Sequence, residues 1–271
     1  MDAAPQAATA GVLALSTGEW ALVVALLAAV CAYAAAAVHL RRGGTAAPWP
    51  RRRTALWTCG WLCAGAALAG PLADRAHHDF AWHMAGHVLL GMLAPLLLVL
   101  AAPVTLMLRT LPVRWARPLG RVLASAPMGV LTHPVTAAVL DIGGLWVLYR
   151  TGLYAAMQAD ALLHAAVHAH VLAAGYLFAF AVLGGPDPAP HRCAPALRAA
   201  VLVAALAGHN VLAKTLYTAP PEGVSSAQAH TGSQLMYYAG APVEIALIAL
   251  LCASWPALGA GRTPLVRAAG R

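Results

Sequence analysis

Residues 20–40 contain no Asp, Glu, Lys or Arg. An uncharged run of about 20 residues, rising about 1.5 Å each in a helix, spans a hydrocarbon core of about 30 Å. Similar Ala-rich and Leu-rich runs recur along the chain, and none shows the period of two that a transmembrane strand requires. The expected fold is therefore all-α, a polytopic transmembrane bundle of about seven helices. The whole chain, 1–271, reads as a single integral membrane domain whose first partner is the lipid bilayer. With 61% hydrophobic and only 10% charged residues, it lacks the polar side chains that cover a soluble domain.

Spans are expected near residues 19–40, 54–72, 82–108, 133–151, 161–183, 196–217 and 233–256, joined by short loops marked by Gly and Pro. The segments 184–195 and 218–229 read as such loops. Arg41, Arg42, Arg51, Arg52 and Arg53 fill the first loop, and Arg109, Arg114, Arg117 and Arg121 fill the third. Arg192 and Arg198 mark the fifth, and Arg262, Arg267 and Arg271 the tail. Of the 17 basic residues, only Arg75, Arg150 and Lys214 fall toward the opposite side. The positive-inside rule then puts the N-terminus outside and the C-terminus in the cytoplasm.

In a soluble protein a net charge of +8 would suggest nucleic acid. Here the cations are confined to inter-span loops and report topology, so no nucleic-acid partner is expected. Five cysteines, with Cys31, Cys59 and Cys63 inside apolar runs, give no disulfide framework. No Lys or Arg precedes Trp20, so the basic start of a cleaved secretory signal is missing and the first span is expected to be retained. No internal repeat of the kind that builds secondary transporters is visible.

Ionisable groups inside spans are costly and therefore raise functional questions. On the expected topology His83 and His87 begin span three at its outer end, and His164 and His168 begin span five there. His230 precedes span seven by a few residues. Residues four apart share a helix face, so each of the two pairs presents two imidazoles side by side. Imidazole is a common metal ligand and thioether a soft donor that favours Cu(I). Met84, Met92 and Met236 lie near these histidines. The candidate metal set is His83, His87, His164, His168, His230 and Met84, with Cu(I) the favoured ion.

The bland alternatives are interfacial histidines solvated by headgroups, and for His209 an interhelical hydrogen bond. His77 and His78 read as loop residues. Cys59 and Cys63 share a face, where buried thiols ordinarily act as small apolar groups. Asp141 and Glu244 fall near the middle of spans four and seven, either as hydrogen-bonded carboxylates or as parts of a proton relay.

The run His83-Met84-Ala85-Gly86-His87, followed by Ala94-Pro95-Leu96-Leu97-Leu98 and Ala102-Pro103, resembles the multi-span CtaG family of assembly factors for caa3-type cytochrome c oxidase. The resemblance continues through Tyr149 to Tyr154, His164-x-x-x-His168 with Gly175-Tyr176-Leu177-Phe178, and Gln234-Leu235-Met236-Tyr237-Tyr238. It covers roughly residues 83–255, with the first two spans similar only in hydropathy. Two departures stand out. Tyr149-Arg150-Thr151-Gly152 replaces a Trp-His-x-Pro pattern, and His230 stands where an acidic residue is common. A cation at Arg150 would repel a bound metal ion.

The resemblance implies a bacterial plasma-membrane assembly factor, not an enzyme, that helps form a working oxidase. Delivery of Cu(I) to the oxidase catalytic subunit is the expected role. A haem-binding electron carrier and a copper permease are the alternatives. No nucleophile and base pair or phosphate-cradling loop points to catalysis.

Overall fold

A chain this poor in charge satisfies its backbone within helices, and among the described residues every regular element is helical. The computed structural model describes residues 17–42 and 48–255. Arg262, Arg267, Arg271 and residue 256 at the expected end of span seven lie outside the described residues, as does the segment 1–16.

The helices run in the order α1 (Thr17–Arg42), α2 (Arg51–Leu68), α3 (Pro71–Ala76) and α4 (Phe80–His87). A π-helical segment, Val88–Leu93, carries α4 into α5 (Ala94–Ala101), which is followed by α6 (Pro103–Thr110). Then come α7 (Val113–Leu123), α8 (Ala126–Leu131) and α9 (Pro134–Ala138). A second π segment, Val139–Gly143, leads from α9 into α10 (Gly144–Arg150). The chain continues through α11 (Leu153–Ala159), α12 (Ala161–Leu183), α13 (Pro195–Thr218) and α14 (Ser226–Ala253).

Five helices are long and apolar enough to cross a membrane: Gly18–Arg42, Phe80–Thr110, Ala161–Leu183, Pro195–Thr218 and Ser226–Ala253. The other two expected spans fall short of that criterion. The 18 residues of α2 begin with three consecutive arginines, and the helical stretch 134–150 is short and carries Asp141. Large side chains on the outside, such as Val24, Leu27, Leu62, Val203 and Ile245, give the bundle an apolar surface suited to lipid rather than water.

Three boundaries differ from the sequence reading. The last helix starts at Ser226, so His230 stands inside it rather than before it. The Ser225 hydroxyl accepts from the Gln228 backbone N–H at 3.3 Å, an N-cap that starts the helix seven residues early. The third loop contains α7, with Arg114, Arg117 and Arg121 on one arc and Trp115 and Val122 exposed on the opposite one. That pattern is typical of a helix lying in a membrane interface.

The third difference is a break inside the third expected span. Ala102 adopts the left-handed conformation, φ 58° and ψ 57°, rare for a residue with a Cβ, and Pro103, which has no N–H to continue the ladder, opens the next helix. The freed groups find partners. Tyr33 Oη donates to the Ala101 carbonyl at 2.6 Å and accepts from Trp49 Nε1 at 3.1 Å. The Asp187 carboxylate accepts from the backbone N–H groups of Val104 at 3.1 Å and Thr105 at 2.6 Å.

The bundle has two unlike ends. At one, Arg53 and Arg109 lie over the ring of the buried Trp49 at 4.7 and 5.8 Å. Arg198 donates to the carbonyls of Val182 and Leu183 at 2.9 and 3.0 Å, closing the last turn of α12. A core of Leu96, Val99, Val182, Val243, Leu247 and Leu251 fills the adjoining half. At the other end α4, α12 and α14 begin, and there the histidines gather.

Candidate functional site

Helix α4 is the rail on which the site is built. Asp79 caps it by accepting from the Ala81 N–H at 2.7 Å, which fixes its first turn and hence the heading of His83 and His87. Both histidines are buried, each only 7% exposed. Asp160 plays the same part for α12, accepting from Leu162 and Leu163 N–H at 2.8 and 2.9 Å. That cap sets His164 and His168 one turn apart on the face turned toward α4.

Four imidazoles form a run across this end. His77 stacks on His164 with ring centroids 5.0 Å apart, His164 on His168 at 4.3 Å, and His168 meets His83 edge-on at 6.3 Å. His168 Nδ1 donates to the His164 carbonyl at 2.9 Å, so a neutral His168 keeps its lone pair on Nε2. His83 Nε2 shares a hydrogen bond with Tyr149 Oη at 3.0 Å. Phe80 and Tyr154 pack around the His83 ring at centroid distances of 6.0 and 5.1 Å. Burial pushes the Tyr154 phenol above its ordinary pKa, against the hydrogen bond it accepts from Gln158. It therefore stays a neutral wall of the site.

His87 turns the other way, into the bundle. Its ring is inclined by 27° to that of His209, centroids 5.9 Å apart, and His209 Nδ1 stands 2.8 Å from Glu244 Oε1. That contact is a close electrostatic one rather than a well-aligned hydrogen bond. Asn210 Nδ2 donates to the same carboxylate at 3.1 Å. His87, His209 and Glu244 line a cavity of about 30 Å³ together with Met92 and Asp141. Met92 belongs to the first π segment and Asp141 to the second. Insertions of this kind re-aim side chains and recur at functional sites. The Nε2 atoms of His87 and His209 have no hydrogen-bond partner.

Besides His87, two members of the expected set stand apart from the run of imidazoles. His230 is exposed and stacks on Tyr217 at 4.1 Å, its position moved by the early start of α14. Met84 is fully buried in an apolar cluster with Leu212 and Met236. His77 is the member that spacing did not suggest. It lies in the turn between α3 and α4, as expected, but that turn folds over α12. Arg150 is exposed and donates to the Ala219 carbonyl at 2.9 Å, tying down the end of α13. Cys59 and Cys63 lie on α2, exposed and half-buried as free thiols. Among the described residues, no three His, Cys, Asp or Glu side chains converge as a metal site would require. The run is thus a ladder of donors rather than a closed coordination shell.

A family model described as cytochrome c oxidase caa3 assembly factor, CtaG, matches residues 31–257. An uncharacterized protein of Mycobacterium bovis is 36% identical over 195 residues, covering 69% of this chain and 29% of that protein. One of Mycobacterium leprae is 32% identical over 196 residues, with the same coverage. The chain thus spans less than a third of the length of these curated relatives. No solved structure matches it significantly.

Proposed function

We propose, because the chain belongs to the cytochrome c oxidase caa3 assembly factor family, that it is a multi-pass plasma-membrane protein that handles Cu(I) for the oxidase catalytic subunit. The observation that carries this reading is the ladder His77, His164, His168 and His83, with ring separations of 4.3 to 6.3 Å. Adjacent imidazoles offer a closed-shell ion successive partial shells, which suits release to a partner better than permanent retention.

In this reading about seven segments cross the bilayer, with α2 and 134–150 as the shorter crossings. The arginine-bearing end faces the cytoplasm and the histidine-bearing end faces outward. A purely structural histidine cluster is the competing view. A permease is less favoured, because the polar groups end at Asp141 and Glu244 and an apolar core fills the half beyond them.

Purified protein in nanodiscs is expected to bind Cu(I) at the ladder with an affinity lowered by His83→Ala and by His164→Ala. Deleting the gene is expected to lower caa3-type oxidase activity, with recovery on added copper. Unchanged Cu(I) affinity in both variants would remove the ladder from copper handling. Normal oxidase activity in the deletion strain would remove the assembly role.

A further inference from the structure

The geometry points to a second, inner Cu(I) station, formed by His87 Nε2, His209 Nε2 and the Met92 thioether, with Glu244 as positioning residue. It deepens the copper reading of the ladder and rests on it for the source of the ion. His83 and His87 stand one turn apart on α4, so one rail carries both the last rung of the ladder and the first ligand of the chamber.

Four observations converge on it. The two Nε2 atoms are orphaned in a setting where buried polar nitrogens are ordinarily paired. His87 is 7% and His209 is 2% exposed, so neither nitrogen has bulk water to turn to. Their rings lie 5.9 Å apart at an interplanar angle of 27°, and an ion bound about 2 Å from each of two imidazole nitrogens holds ring centroids about 5–6 Å apart, so rotation of the two side chains, without movement of the helices, aims both lone pairs at one ion. The cavity they line measures about 30 Å³, room for a single ion or water.

The remaining two features set the softness and the orientation. A methyl built on Gly240 would lie 3.3 Å from Met92 Sδ and 3.2 Å from His209 Cε1. Sulfur and imidazole therefore meet over a position that only glycine leaves open. Nitrogen with thioether selects a soft monovalent ion over Zn(II) or Mg(II). Glu244 Oε1 lies 2.8 Å from His209 Nδ1, where its charge favours the tautomer with the proton on Nδ1 and the lone pair on Nε2. This is the carboxylate–histidine pairing that orients metal-bound imidazoles elsewhere. Asp141 lines the same cavity.

The test uses the full chain in nanodiscs, labelled with selenomethionine so that Met92 is distinguishable from any cysteine, and loaded with Cu(I). X-ray absorption at the copper edge is expected to show one copper–selenium contact. Met92→Leu, a volume-conserving change, should abolish that contact and lower the bound copper from about two ions to about one. Met236→Leu and His164→Ala should leave it in place. Glu244→Gln should retain the contact while weakening inner-site affinity about 10- to 100-fold. Copper bound without a selenium contact, or a contact surviving Met92→Leu, would overturn the inner station and leave the ladder standing. A selenium contact that persists when His164→Ala removes the other ion would uphold the inner station by itself. Absence of Cu(I) binding by the wild-type chain would overturn both.

Discussion

His209 Nδ1 and Glu244 Oε1 face each other at 2.8 Å between α13 and α14, and Asn210 donates to the same carboxylate at 3.1 Å. Interhelical polar contacts in bilayers contribute about 0.6 kcal/mol on average and up to about 1.7. Glu244→Ala removes the partner of two groups at once and is expected to lower stability by about 1–2 kcal/mol. Glu244→Gln keeps an acceptor and should cost less. Reversible unfolding in mixed micelles gives the comparison, and equal loss in both variants would mean that cavity formation dominates.

Tyr149 Oη occupies His83 Nε2 at 3.0 Å, while its ring packs edge-on against Phe80 at 6.1 Å. Tyr149→Phe deletes the hydroxyl and keeps the packing, at an expected cost of about 0.5–1.5 kcal/mol. It also releases the His83 nitrogen. Cu(I) affinity at the ladder should hold or rise, in contrast to its fall in His83→Ala. Competition with a chromophoric Cu(I) chelator measures both, and a parallel fall in the two variants would show that the hydroxyl supports the site instead of occupying its nitrogen.

The sequence revealed the helices because bilayer crossing leaves so few alternatives: uncharged runs, loop arginines and i, i+4 histidine pairs all have local signatures. The pairs His83/His87 and His164/His168 are legible as helix-face pairs for that reason. His77 is not, since its place depends on how the turn before α4 folds over α12. The place of His230 inside α14 is not legible either, because the Ser225 cap lies inside a stretch rich in loop residues. The partnership of His87 with His209 depends on rotation of α4 relative to α13. The intervening π segment Val88–Leu93 resets that rotation with no simple mark in composition.

Asp187 accepts from Val104 N–H, Thr105 N–H and Thr105 Oγ1 at 3.1, 2.6 and 2.6 Å, across the break at Ala102. Removing a cap of this kind costs about 0.5–2 kcal/mol. Asp187→Ala is therefore expected to destabilise α6 by that amount, and Asp187→Asn by less. Hydrogen exchange should quicken at the amides of Val104 and Thr105 before it does elsewhere in the bundle. Unchanged exchange at those two amides would show that the strained turn is held by other groups, such as Tyr33 on the Ala101 carbonyl.

Gly175 on α12 faces the backbone of Gly91 in the first π segment. A methyl at 175 would collide with the Gly91 carbonyl oxygen and lie 3.0 Å from Pro95 Cγ. Neither obstacle is a flexible side chain, so the helices must separate, at an expected cost of about 1–3 kcal/mol. At Gly65 the nearest obstacle is the mobile tip of Leu26, at 2.8 Å, and Gly65→Ala should be nearly neutral. The two substitutions change the sequence alike but only one disturbs the site. Gly91 lies one turn from His87, and an outward shift of that turn would widen the gap between His87 and His209. Gly175→Ala is thus expected to weaken Cu(I) binding at the inner pair by more than tenfold while leaving the ladder nearly unchanged. Measured against Met92→Leu in the same titration, loss at the ladder alone would contradict this coupling between helix approach and site geometry.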